Sequence, residues 1–169
     1  MRQRIGKRGQ RGNQIAEFGP ALIILLMVII FPMIDIIYMS LGFCCGWYLN
    51  HMTSRGCSTV TPTSLTAFPA PYPATVINTI NANFVNSGLA NFTGASIISN
   101  SASAVQSTVI DPITGNPTLF VQATTVIQVS PFLTLATVPL LNSWVIPGVT
   151  GPMTFNYFDR IPVEETGLN

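Results

Sequence analysis

Glu17, Asp35, Asp111, Asp159, Glu164 and Glu165 are the six acids of this 169-residue chain, and His51 is its single histidine. General acid–base catalysis needs a proton carrier held beside a reacting group, and a zinc site needs three or four ligands. One histidine leaves no set of Ser-His-Asp partners to build from. No glycine-rich phosphate loop, pair of catalytic carboxylates or metal-ligand spacing occurs either. His51 follows Trp47 and Tyr48 with no acid cluster beside it, so it is expected to be structural. Asp111 sits among turn formers, and Glu164 and Glu165 follow Pro162 in a polar tail. That tail is either a solvated end or a contact for a basic groove on a partner. The sequence predicts no enzyme: no catalytic residue, no metal, no cofactor and no small-molecule substrate.

The cysteines leave two readings open. Outside a reducing compartment, Cys57 is able to bridge back to the Cys44-Cys45 pair, with Cys45 and Cys57 as the candidate disulfide. Three is an odd number, so one thiol stays free or links subunits. Alternatively Cys44 and Cys45 are simply small residues of a helix packed against lipid.

The elements that position these residues begin with an unusual composition. Hydrophobic side chains make up 48% of the chain and charged ones 8%, against about 25% charged in an ordinary soluble domain. Arg2, Arg4, Lys7, Arg8 and Arg11 are five of the seven basic residues and all lie in the first twelve positions. A basic tip of this kind suits either a nucleic-acid arm or a membrane flank. The apolar run directly behind it favours the membrane and no nucleic acid. Phe18 to Leu49 is apolar or weakly polar for 32 residues with one charge, Asp35. As a helix it is about 48 Å long, whereas a hydrocarbon core needs about 20 residues. The run is too long for the core of a cleaved secretory signal and lacks a small-x-small exit, so it predicts a retained anchor. Basic residues before the span and Arg55 nearly alone after it place the N-terminus in the cytoplasm and the rest outside.

Two acids mark this helix. Glu17 stands at its threshold, where a lone carboxylate in low dielectric is costly unless a cation matches it. Asp35 follows 18 residues later, five helical turns, so both acids share one face about 27 Å apart. Asp35 is then expected near the outer boundary of the bilayer, either as a contact to another subunit or as an acid reaching the interface. Trp47 and Tyr48 are candidate aromatics of that interface, and Pro32 is a candidate kink.

"GNQIAEFGPALIILL" resembles the start of type IV prepilin-like proteins: a basic leader ending in glycine, four variable residues, glutamate, an aromatic and a long apolar helix. The resemblance implies cutting by a prepilin peptidase between Gly12 and Asn13. That cut would remove all five leading basic residues and leave a new ammonium on Asn13, four residues before Glu17 and on its helix face. Glu17 and Phe18, with Asp35, would then set the axial register of packed subunits. Within this superfamily, "AEFGPALIILLMVIIFPMIDIIYMSLGF" followed by "NHMTSRG" is most similar to the TadE-like proteins of tight-adherence (Tad) pili. That similarity covers roughly residues 8–58. It implies a structural pseudopilin or minor pilin in a bacterial inner membrane, single-pass, with a periplasmic head. Its partners would be membrane lipid, other pilin or pseudopilin subunits and the prepilin peptidase. The competing readings are a conventional type IV pilin or secretion-system pseudopilin, and an uncleaved signal-anchor protein with a ligand-binding head.

The remainder predicts an α+β fold. Residues 1–12 form the leader, 13–57 the membrane helix with an extension, 58–75 a Pro/Ser/Thr-rich extended connector and 76–169 the head. Ile77, Ile80, Phe84 and Leu89 recur at near-helical spacing and predict one short amphipathic helix. "SASAVQSTVI" and "TLFVQATTVIQVS" predict an antiparallel hairpin across the turn-rich "DPITGNP", and "MTFNYFDR" a third strand. A head with an antiparallel sheet of about three strands is barely large enough for its own core, and is expected to need the helix or a partner.

Overall fold

The computed structural model describes residues 18–64, 66–110, 115, 117–132, 147–148 and 150–164. Gly12, Asn13, Glu17, Asp111 and Glu165 lie outside the described residues, as does most of the hairpin turn. One helix, α1 (Phe18–Ser58), runs 41 residues, about 60 Å. It is long and apolar enough to cross a membrane. Behind it comes an α+β head with the element order β1 (Ala70–Pro71), α2 (Ala74–Val85), α3 (Gly88–Thr93), β2 (Ala95–Ile110), β3 (Pro117–Val129) and β4 (Met153–Pro162). The strands form one antiparallel sheet in the order β1-β2-β3-β4.

Within α1 the turn Leu26–Ile30 is π-helical, and the Phe31 N–H reaches back to the Leu26 carbonyl. Pro32 supplies the cause. A proline lacks the N–H that would bond four residues back and crowds that carbonyl, and a widened turn just upstream relieves both. The expected kink site is therefore a π-turn.

The hairpin of β2 and β3 forms as its pattern predicts, but β2 begins earlier, at Ala95. A bulge between Ile97 and Ser99 explains how. Ala95 and Ile97 face inward opposite Val129 and Ile127, while further along Asn100, Ala102 and Ala104 face inward opposite Thr125, Ala123 and Val121. Strict alternation would have turned Ser99, Ser101 and Ser103 inward instead, and one extra residue resets the phase. On β3 the buried series is Val121, Ala123, Thr125, Ile127 and Val129. Gln122, Thr124 and Gln128 alternate with it on the other face, as in a sheet covered on one side.

Two expectations change in detail. The anticipated helix through Leu89 is two helices. Ser87 caps α3 by accepting a hydrogen bond from the Ala90 N–H at 3.2 Å. Its preceding residue, Asn86, already closes α2. Ile77, Ile80 and Phe84 stay on α2, whereas Leu89 falls on α3 and is exposed. The sheet gains a fourth strand from the connector, where Ala70 and Pro71 pair with Ala104 and Ser103. Proline donates no ladder bond, which confines such a strand to the edge.

α1 supplies the head with its core. From Asp35 onward its buried residues are Met39, Gly42, Cys45, Gly46, Leu49, Asn50, Thr53, Ser54, Cys57 and Ser58, a stripe at three- and four-residue spacing. Glycine is required where the backbones meet. A Cβ on Gly42 would lie 2.7 Å from Val129, one on Gly56 2.7 Å from Ile80, and one on Gly46 would strike Tyr157 and Ile127. Met39, Cys45, Leu49, Phe84, Ala90, Ile127, Val129 and Tyr157 form one apolar cluster. Cys57, Ala70, Tyr72, Ala102, Ala104, Val121 and Ala123 form a second. Full burial of Leu49, Val121, Ile127 and Val129 stabilises the fold by roughly 1.5–3 kcal/mol each.

Candidate functional site

Three regions collect the residues with functional potential: the bare half of α1, a polar layer inside the head, and a histidine–carboxylate pair on its flank. The bare half runs from Phe18 to Ile37. Phe18, Ile23, Val28, Met33 and Ile36 are among its many exposed apolar side chains. Asp35 is the exception, with 0% of its surface exposed. The acid expected at a subunit contact or at the interface is thus enclosed by the chain's own fold, at the level where α1 enters the head. Around that level lie Tyr38, Phe92 and Phe132. The Tyr38 hydroxyl donates to the Phe92 carbonyl, and its ring stands 6.0 Å from the Phe92 ring and 5.2 Å from the Phe132 ring. A cleft of about 430 Å³ opens beside the helix there, lined by Ile36, Met39, Phe43, Pro147, Met153 and Phe155 among others.

The polar layer separates the two apolar clusters. Asn100 on β2 donates from Nδ2 to Thr53 Oγ1 at 2.9 Å and to Asn81 Oδ1 at 2.7 Å. Thr125 Oγ1 on β3 lies 2.9 Å from both Asn50 Oδ1 and Asn100 Oδ1, its one hydrogen shared between them. α1, α2, β2 and β3 therefore all contribute one side chain or more. Buried amides and hydroxyls are costly unless bonded, so this layer is satisfied in only one register of helix against sheet. Its chemistry is positional; it holds no nucleophile beside a base.

The flank carries what sequence reading missed. His51 Nδ1 lies 3.4 Å from Asp159 Oδ2, and the imidazole stacks on Trp47 with centroids 5.5 Å apart and planes at 2°. Asp159 Oδ1 also accepts the Arg160 N–H at 2.9 Å. Arg160 in turn sits 4.6 Å over the Phe120 ring. The helix periodicity that puts Trp47 and His51 on one face was available in advance. The register of β4, which brings Asp159 across, was not. At 3.4 Å the pair is looser than a good hydrogen bond, and it orients a side-chain cluster rather than priming a proton transfer. Among the described residues no group of three or more His, Cys, Asp or Glu side chains is placed to hold a metal.

The proposed bridge between Cys45 and Cys57 is overturned. Both lie on one unbroken helix twelve residues apart, about 18 Å along its axis, where a disulfide needs Cα atoms within about 7 Å. All three thiols are free. Cys45 packs in the first cluster, where Thr93 Oγ1 approaches its sulfur at 3.7 Å, and Cys57 packs in the second. Cys44 is exposed.

Tyrosines complete the interior. The Tyr157 hydroxyl donates to the Phe43 carbonyl at 2.8 Å, and burial pushes its phenol pKa above the ordinary value. Tyr72 is raised to about 12, chiefly by burial and further by Cys57 beside it. Its hydroxyl has no hydrogen-bond partner among the described residues. Comparison with protein-family models, with characterised proteins and with solved structures produced no match to this chain.

Proposed function

We propose that this chain is a structural, membrane-anchored subunit of pilin type, a TadE-like pseudopilin or minor pilin of a tight-adherence pilus. One observation carries the reading: a single helix serves for half its length as a bare apolar rod and for the other half as the spine of an α+β head. A subunit that waits in a bilayer and then packs laterally with its neighbours needs a rod whose apolar surface suits both settings. The leader motif from Gly12 to Phe18 supports the same reading from the sequence side. On this reading the rod spans the bacterial inner membrane, the head stands on the periplasmic side, and Glu17 meets the new N-terminal ammonium of a neighbour or of its own chain. The bonded polar layer keeps the head rigid on the rod, so that position set by the rod is passed to the surface that partners touch.

Mass spectrometry of the mature chain from cells with an active prepilin peptidase tests it. The expected mass begins at Asn13. An intact basic leader would instead identify an uncleaved signal-anchor protein. Exchange of Glu17→Gln is expected to leave the head folded and to abolish filament growth.

A further inference from the structure

We infer that the base of the head is a membrane-seating surface, on which Phe92, Phe132 and Met153 rest in the interfacial zone of a phospholipid bilayer around the point where α1 emerges. The inference builds on the reading of α1 as a span. Twenty residues from Phe18 to Ile37 cover about 30 Å, the thickness of a hydrocarbon core. Tyr38 therefore stands at the boundary of the lipid, and the head begins there without a stalk: Asp35 and Met39 are already buried.

What surrounds Tyr38 is apolar and bare. Phe92 and Phe132 touch its ring from two separate elements, α3 and the segment after β3, yet are 62% and 59% exposed. Met153 opens β4 at the same level, beside the cleft that Ile36 and Met39 line. Exposed apolar rings from separate elements, gathered at one height on a spanning helix, are placed like the apolar face of an interfacial element, which buries Phe and Leu at the boundary of headgroups and acyl chains.

The charges point the other way. Arg55 lies 17 residues beyond Tyr38 on α1, about 26 Å along the axis. Asp159 is held beside His51, and Arg160 adjoins it. The Glu164 N–H bonds the Ser58 carbonyl at the last turn of the helix. Among the described residues, the exposed charged groups Arg55, Arg160 and Glu164 therefore lie toward the upper end of the head, away from the Phe92–Phe132 collar at its base. This polarity along the helix axis favours lipid over a second copy of the chain as the occupant. Trp47 and Tyr48, the interface aromatics anticipated from sequence, stand about 14 Å higher than Tyr38.

The test uses the full chain in phosphatidylcholine vesicles, with Trp47 and Trp144 replaced by Phe and one tryptophan introduced at Phe92, Phe132 or Val28. Phe92→Trp and Phe132→Trp are expected to emit at blue-shifted wavelengths. Lipids brominated near the headgroup should quench them more than lipids brominated deep on the acyl chain, with the reverse order for Val28→Trp. Water-like, unquenched emission at 92 and 132 overturns the seating. So does blue-shifted emission that bromine does not quench, which would mean that a neighbouring copy covers the collar. If Val28→Trp is also unquenched, the spanning reading falls with it; if Val28→Trp is quenched deeply and the others are not, only the seating falls. The same two positions carrying photoreactive p-benzoylphenylalanine in the otherwise native chain give a check free of tryptophan exchange. Lipid adducts support the seating, and adducts only to a second chain overturn it.

Discussion

The two halves of α1 share one continuous helix and almost nothing else. From Phe18 to Ile37 the side chains are large, apolar and mostly exposed; from Met39 to Ser58 the buried face is made of Gly, Cys, Ser, Thr and Asn with Met39 and Leu49 its only large apolar side chains. A rod in an apolar medium needs hydrophobicity all round and tolerates any shape. A spine laid against a sheet needs room, so bulk gives way to glycine where Val129, Ile127 and Tyr157 press in. It also needs direction along its axis, which apolar packing alone does not specify and a bonded polar layer does. Hydropathy describes the first half. Side-chain size and hydrogen-bonding pattern describe the second.

The sharpest way to break this contrast is to make the spine as bulky as the rod. Gly46→Leu drives a branched side chain into Tyr157 and Ile127 and is expected to cost about 3 kcal/mol or more, read as loss of the cooperative head transition in a circular-dichroism melt in detergent. Gly19→Ala is the control in the rod, where an added Cβ meets nothing within 4 Å; that melt should not fall. An intermediate effect is expected from Thr125→Val, which takes the shared hydrogen from Asn50 Oδ1 and Asn100 Oδ1 inside the head. About 2 kcal/mol of stability should be lost, with most of it restored in Thr125→Ser. The smallest effect concerns Tyr72, whose buried hydroxyl lacks a partner among the described residues. Tyr72→Phe is expected to leave stability unchanged or raise it by up to about 1 kcal/mol. The same burial makes the native head sensitive to alkali. A phenol raised from 10.0 to about 12 in the folded chain favours folding below its ordinary value. That contribution declines as pH rises from about 10 through about 12, and tyrosinate absorbance during an alkaline melt should follow it.

Much of this architecture was legible in the residues. The rod, the β2–β3 hairpin and β4 announce themselves through uninterrupted hydropathy, alternation and turn formers, because each is dictated by neighbours in sequence. What stayed hidden depends on pieces far apart. The bulge at Ile97 and Ser99 makes sense only once Ala102 and Ala104 are known to face the helix. The break between α2 and α3 was signalled by Ser87-Gly88, a capping pair overlooked because Leu89 continued the helical spacing. Asp159 lies 108 positions beyond His51 in sequence, a separation no local pattern spans. The cysteine bridge failed for the opposite reason: the helix persists through Cys57, and its rise keeps the two sulfurs apart.

The alignment of α1 with β3 also decides how the molecule bears load. Gly42 meets Val129, Gly46 meets Ile127, Asn50 faces Thr125, and Cys57 shares a cluster with Val121, so helix and strand run side by side in opposite directions. A pull on the Phe18 end of α1 therefore acts along this seam rather than across it. Its contacts are strained together, in shear, and must yield nearly at once instead of peeling one by one from an end. A tug on the rod reaches the far tip of the head before anything lets go.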